Sequence, residues 1–437
     1  MARRSSLYFS AFTEEHGREL HRFDPWSKTP TLLETAPGPE GVDPTGFVEF
    51  RGSLYFSGTT AEHGEELYRL SPWSKAPALV ADINPGPEGS GPGNFIQFGR
   101  HLYFTATTAE LGRELYRLSP GSKTPELFAD INPNPSGTAP GLEGSAPQNF
   151  TIFGNYLYFT AFTEAHGIEL YRLSKGGKAP ELIETVPGPI GSVGSLGNFA
   201  EYRGHLYFTG STAEGTELFR LAPGSKTPEL IELTPGGSFQ NNFSGFTEFR
   251  GDLYFAGFSP ETGTELFRLT HGSSTPTILD INPGPASSFV DEFTVFGGKL
   301  YFRATTEENG TELYRLRPGS TDPKLIDINP GPEDSFPGSL TEFNGRLYFG
   351  AETEEHGTEL YRLSPWSKHP KRIDINPGDE GSNPFGFTEF GNKLYFTATS
   401  AETGNEVYRL ASHGGTPMPV DINAGPAGSD PRDYFVL

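Results

Sequence analysis

The 437-residue chain has no cysteine, only two methionines and three tryptophans, and few cations, with 33 Lys and Arg against 55 Asp and Glu and a formal net charge of −22. The lack of cysteine excludes disulfide frameworks, cysteine-ligated zinc, thiol nucleophiles and iron–sulfur clusters. The cation shortage argues against a nucleic-acid partner, whose affinity comes from Lys and Arg neutralising phosphates. No apolar run approaches the roughly 18 residues that read as a membrane span. The opening Met1-Ala-Arg-Arg-Ser-Ser6 runs straight into Leu7-Tyr8-Phe9-Ser10, without the apolar stretch of a secretory signal. What is plentiful is 55 Gly and 39 Pro, which predict many turns and few helices, and 13% aromatics, which supply large buried surfaces to an otherwise modestly apolar chain.

Self-similarity overrides the two or three domains that length alone suggests. Leu-Tyr-Phe recurs from Leu7, Leu54, Leu102, Leu157, Leu206, Leu253, Leu300, Leu347 and Leu394, at spacings of 47 to 55 residues. Each unit holds four short β-rich runs. In one of them Leu340-Thr-Glu-Phe343 is followed by Asn344-Gly345, Arg346 to Ala351, Glu359 to Leu363, and Lys371 to Ile375. Asn-Gly between two such runs signals a type I′ hairpin, because both central residues need positive φ. Four strands in a repeat of about 40–50 residues are the signature of a propeller blade. The first unit begins at its second strand, while Asp433-Tyr-Phe-Val-Leu437 falls where other units have their first. The C-terminus is therefore expected to supply the missing strand and close a single-domain, all-β, nine-bladed propeller spanning residues 1–437.

The third strand of every unit carries Glu and Arg three residues apart, from Glu19 and Arg22 through Glu312 and Arg315 to Glu406 and Arg409. Strand alternation places them on opposite faces. The Glu of one blade is expected to pair with the Arg of the next, a structural role, since catalysis needs a few unlike groups at one place rather than nine equivalent copies.

This string resembles the bacterial repeat family named for Glu-Leu-Trp-x-x-Asp-Gly-Thr. The likeness is carried by Glu265-Leu266 and by Asp280-Ile-Asn-Pro-Gly284, Asp327-Ile-Asn-Pro-Gly331 and Asp374-Ile-Asn-Pro-Gly378. The chain departs from the family where Tyr, Phe or His replaces Trp and where Pro-Gly-Ser or Pro-Trp-Ser replaces Asp-Gly-Thr. The resemblance implies a propeller and, as is often so in the family, an extracellular or cell-surface setting; it carries over no activity, and no cofactor is expected.

Turns after strands two and four should emerge on one side of the disc, and those after strands one and three on the other. The first set is acidic, as in Glu14-Glu15, Glu62 and Glu354-Glu355; the second gathers cations such as Lys28, Lys75, Lys123 and Lys368. Charge of this kind keeps a propeller soluble or recruits cations or a basic partner. His16, His63, His166 and His356 lie in acidic turns of different blades, so no metal site is assigned. Asp-x-Asn-Pro-Gly is a turn former rather than a calcium loop.

All three tryptophans, Trp26, Trp73 and Trp366, occupy one repeat position, in Pro-Trp-Ser-Lys turns of units one, two and eight. Around a closed ring they share a sector. Each either packs on the neighbouring Lys stem or meets a ligand, and its flat face suits stacking on sugars, so the three are the candidate ligand-binding residues. The enlarged loop 132–147 of unit three lacks a catalytic His or Lys and reads as an insertion. The pattern favours a monomeric, non-catalytic binding or interaction scaffold for carbohydrate or protein. One alternative is a hydrolase or lyase acting at the central channel, with Glu49, Glu201, Glu248, Glu342 and Glu389 as the nearest carboxylates; another is a repeat protein without a ligand.

Overall fold

The computed structural model describes residues 5–133, 144–185, 197–212, 215–233, 245–412 and 414–437. These form nine four-stranded antiparallel sheets, the blades of a nine-bladed propeller, with no helix among the described residues. Blade eight is representative, with strands Gly338–Phe343, Arg346–Thr353, Gly357–Leu363 and Lys371–Ile373. Its first hairpin has Asn344 at φ 48° and Gly345 at φ 69°, the two positive values a type I′ turn requires.

Blade one is assembled from both ends of the chain. Its sheet order places Arg432–Val436 beside Leu7–Thr13, with Leu7 opposite Val436 and Tyr8 opposite Phe435. The Ser6 amide donates to the Leu437 carbonyl at 2.7 Å, and the Leu437 amide donates back to Ser6 at 2.9 Å.

The Leu-Tyr-Phe string explains why blades must be neighbours. Its alternating side chains are apolar on both faces, so each sheet buries two surfaces. Leu7, Phe9 and Phe23 pack against Phe390, Tyr395 and Val407 of blade nine, while Tyr8 and Leu20 pack against Leu54, Phe56 and Tyr68 of blade two. Such a cluster lies at each of the nine blade boundaries. Burying each Leu or Phe contributes roughly 1.5–3 kcal/mol, so a core repeated around the ring compensates for the modest apolar content.

Among the described residues the expected ring of Glu–Arg ion pairs between neighbouring blades does not form, the arginines' carboxylate partners lying elsewhere. Glu and Arg do face opposite ways, Glu19 lying opposite Ala11 and Arg22 opposite Tyr8. The buried carboxylates instead accept hydrogen bonds from their own unit's connection after the fourth strand. Glu312 takes the amides of Ile328 at 2.8 Å and Asn329 at 3.2 Å. Glu359 takes those of Ile375 and Asn376, both at 3.0 Å, and the Ser382 hydroxyl at 2.7 Å. The connection has left the sheet ladder, so its N–H groups need acceptors; a carboxylate satisfies several at once without a cation. The arginines pair within their own blade, as Arg117 does with Glu126, or reach carbonyls of the next, as Arg172 reaches Gly224 and Ser225 at 2.8 Å.

Burial pushes the Glu265 and Glu312 carboxyls up to about 7, against the opposing pull of their N–H and serine donors. With a folded value above the unfolded one, the native state holds protons that the unfolded chain releases. This contribution is fully present below pH about 4.5 and is lost as pH rises through about 7. The denaturant midpoint should therefore fall between pH 5 and 8, and an E265Q/E312Q double variant should show a flatter profile; an unchanged slope would contradict the assignment. Glu312→Ala leaves two backbone donors without their acceptor and should cost about 2–4 kcal/mol in chemical unfolding.

Candidate functional site

Close backbone contacts sort the turns onto two sides. A Cβ on Gly17, at φ 63°, would lie 2.4 Å from the Pro39 carbonyl oxygen, and Arg18 bridges Gly41. The second turn and the fourth connection thus share a side. On the other, the first turn of each blade meets the third turn of the next, as Gly297 meets Pro365 and Gly391 meets Pro25.

On the first side each of the four histidines meets carboxylates of its own blade only, His16 and His63 two apiece. His16 contacts Glu34 at 2.8 Å, His63 contacts Asp82 at 3.0 Å and His166 contacts Glu184 at 3.3 Å, while His356 has Glu355 at 3.6 Å. The asparagines of Asp-x-Asn-Pro-Gly do more than form turns. Asn376 donates to the Gly381 carbonyl at 2.8 Å and accepts the Ala401 amide of blade nine at 3.0 Å; Asn84 likewise joins Gly89 to Ala109 of blade three. Recurrence was the available signal for these bridges. Of the enlarged loop 132–147, residues 134–143 lie outside the described residues.

On the other side stand the tryptophans. The preceding Pro sets the turn, and the amide of the following Ser closes it, from Ser27 to Asp24, Ser74 to Ser71 and Ser367 to Ser364, each at 3.0 Å. In units three and five, Gly121 (φ 80°) and Gly224 (φ 75°) occupy the Trp position, and the turns close at the same 3.0 Å. The closing hydrogen bond therefore does not need an indole, although the two kinds of turn differ in backbone, with positive φ at the glycines and not at the tryptophans. Nor do the rings fold onto the protein, since Trp26 is 83% exposed, Trp73 93% and Trp366 91%. Lys299 of blade seven sits 5.5 Å from the Trp366 ring centre and donates to the Pro365 carbonyl at 2.7 Å, yet leaves that ring open. Partial burial, with Arg315 and Arg317 nearby, holds the Lys299 ammonium below its ordinary range.

Ring closure sets Trp26 beside blade nine. There a groove of about 490 Å³ runs between the Pro25–Lys28 turn and the outer strands of blade nine, lined by Lys393, Arg409 and Met418 among others. A second, of about 580 Å³, lies between blades two and three, where Gly121 stands in place of Trp and Arg51, Arg69 and Lys123 supply charge. The innermost-strand residues Glu49, Glu201, Glu248, Glu342 and Glu389 are all exposed, one per blade.

No family model and no curated protein sequence matches the chain. Similar solved structures include one from work on two prolyl endopeptidases and the role of inter-domain dynamics in their catalysis and specificity, at 11% identity and TM-score 0.45, covering 79% of this chain and 50% of that one. A puromycin-hydrolyzing peptidase of Mycobacterium tuberculosis is 12% identical, TM-score 0.41, over 82% of this chain and 58% of its own. A puromycin hydrolase is 13% identical, TM-score 0.41, over 87% and 54%. The chain thus spans little more than half the length of these structures, and likeness at this level carries no argument about activity.

Proposed function

We propose that the protein is a non-catalytic binding scaffold that takes carbohydrate on the side of the disc bearing its tryptophans. The observation that carries this reading is the exposure of Trp26, Trp73 and Trp366 at a turn position that closes with the same hydrogen bond in blades three and five, where it holds glycine. An indole held out on a rigid turn gives a flat apolar face with little entropy left to lose, which suits stacking on a pyranose ring. Exposed aromatic surface is otherwise an aggregation liability, so three copies at one repeat position call for a ligand. Placement in blades eight, one and two would let an extended glycan meet more than one of them, multiplying weak single contacts.

The second reading is an enzyme, a hydrolase or lyase acting at the central channel. Its carboxylates are the exposed glutamates of the inner strands, Glu49, Glu201, Glu248, Glu342 and Glu389.

On a glycan array the purified protein should bind at least one saccharide, and W26A, W73A and W366A should each weaken that binding several-fold. Because the rings are exposed, each variant should keep its unfolding free energy within about 0.5 kcal/mol. Absence of any hit, or undiminished binding by the triple variant, would overturn the reading. Turnover of peptide or glycoside substrates, lost on replacing the inner-strand glutamates, would favour the enzyme.

A further inference from the structure

Blades differ in what faces the recurrent third-strand arginine. The first residue of the fourth strand lies directly opposite it: Glu126 opposite Arg117, Glu181 opposite Arg172 and Glu229 opposite Arg220. In these three blades the carboxylate takes the guanidinium, at 2.6, 3.1 and 2.8 Å. In blade nine the opposing residue is Met418, 59% exposed, and among the described residues no carboxylate lies within ion-pair distance of Arg409. Arg409 donates instead to the Lys28 carbonyl of blade one, at 3.4 Å. The groove beside blade one opens at this point, and it adds Lys28, Lys393 and the exposed Trp26. Blade two repeats the pattern with Ala78 opposite Arg69, but the groove there, between blades two and three, is lined by Gly121 rather than a tryptophan.

We infer that the groove between blades nine and one binds an acidic saccharide, a uronate whose carboxylate takes the place beside Arg409 that Glu126, Glu181 and Glu229 fill in their blades. The inference rests on the carbohydrate reading above and narrows it to one ligand class and one groove. Three cations converge there on a protein of net charge −22, and a carboxylate is the acceptor this guanidinium geometry already takes elsewhere in the chain. The Trp26 ring supplies the stacking face for the sugar, and Met418 a polarisable apolar floor.

The test is calorimetric titration with oligogalacturonate, oligoglucuronate, alginate oligomers, their methyl esters and neutral cello-oligosaccharides. At least one oligouronate should bind; esterification should weaken it at least tenfold, and so should R409Q and W26A. M418E, which installs the carboxylate found in blades three to five, should block binding while leaving thermal stability unchanged or raised, so loss of the fold is not an explanation. If neutral glycans bind in a tryptophan-dependent way and no uronate does, or if binding survives M418E and R409Q, this inference falls while the broader reading stands. If no saccharide of either kind binds, both fall.

Discussion

Each blade has two apolar faces and can hide them only against two neighbours, so the structure depends on the ring having no end blade. A terminal blade would leave a face of Leu, Phe and Tyr in water. The tail strand Arg432–Val436, paired to Leu7–Thr13, converts an otherwise open row into a cycle, and the Phe9–Phe390 cluster becomes one boundary among nine. The groove proposed to bind ligand is a product of the same closure, since Arg409 and Lys28 meet across nearly the whole chain.

Within that frame, sameness and difference separate structure from display. The third-strand glutamate does one job: it is buried and accepts the backbone donors of the connection that leads to the next blade. A position held constant by such an internal task cannot also be selective. What varies sits on the rim, at the third turn, where Trp alternates with Gly, and at the start of the fourth strand, where Glu, Thr, Lys, Ala and Met succeed one another. These substitutions hardly perturb the sheet, because they fall on exposed residues, and they change the chemistry offered at each boundary.

Much of this was legible in the residues. The Leu-Tyr-Phe period, the Asn344-Gly345 hairpin and the offset of the two termini lead to the observed architecture because strand period, turn chemistry and repeat length are local properties. The partners of the glutamates were not legible. A recurrent Glu beside a recurrent Arg suggests an ion pair, whereas the true donors are main-chain amides such as Ile328 and Asn329, which have no letter in the sequence. The opposition of Arg409 to Met418 was hidden for a similar reason, since it depends on register across a hairpin. That the tryptophans lie at hairpin tips could be read directly; that nothing covers them required the packing of the adjacent blade.

Amide hydrogen exchange at the closing strand tests the account most directly, without altering the protein. The Leu437 amide and those of Leu7 to Ser10 are predicted to exchange as slowly as the matching strands of blade eight, opening only with global unfolding. Exchange of the tail at the rate of a free chain end, with blade eight still protected, would contradict the closed ring and the groove built across it.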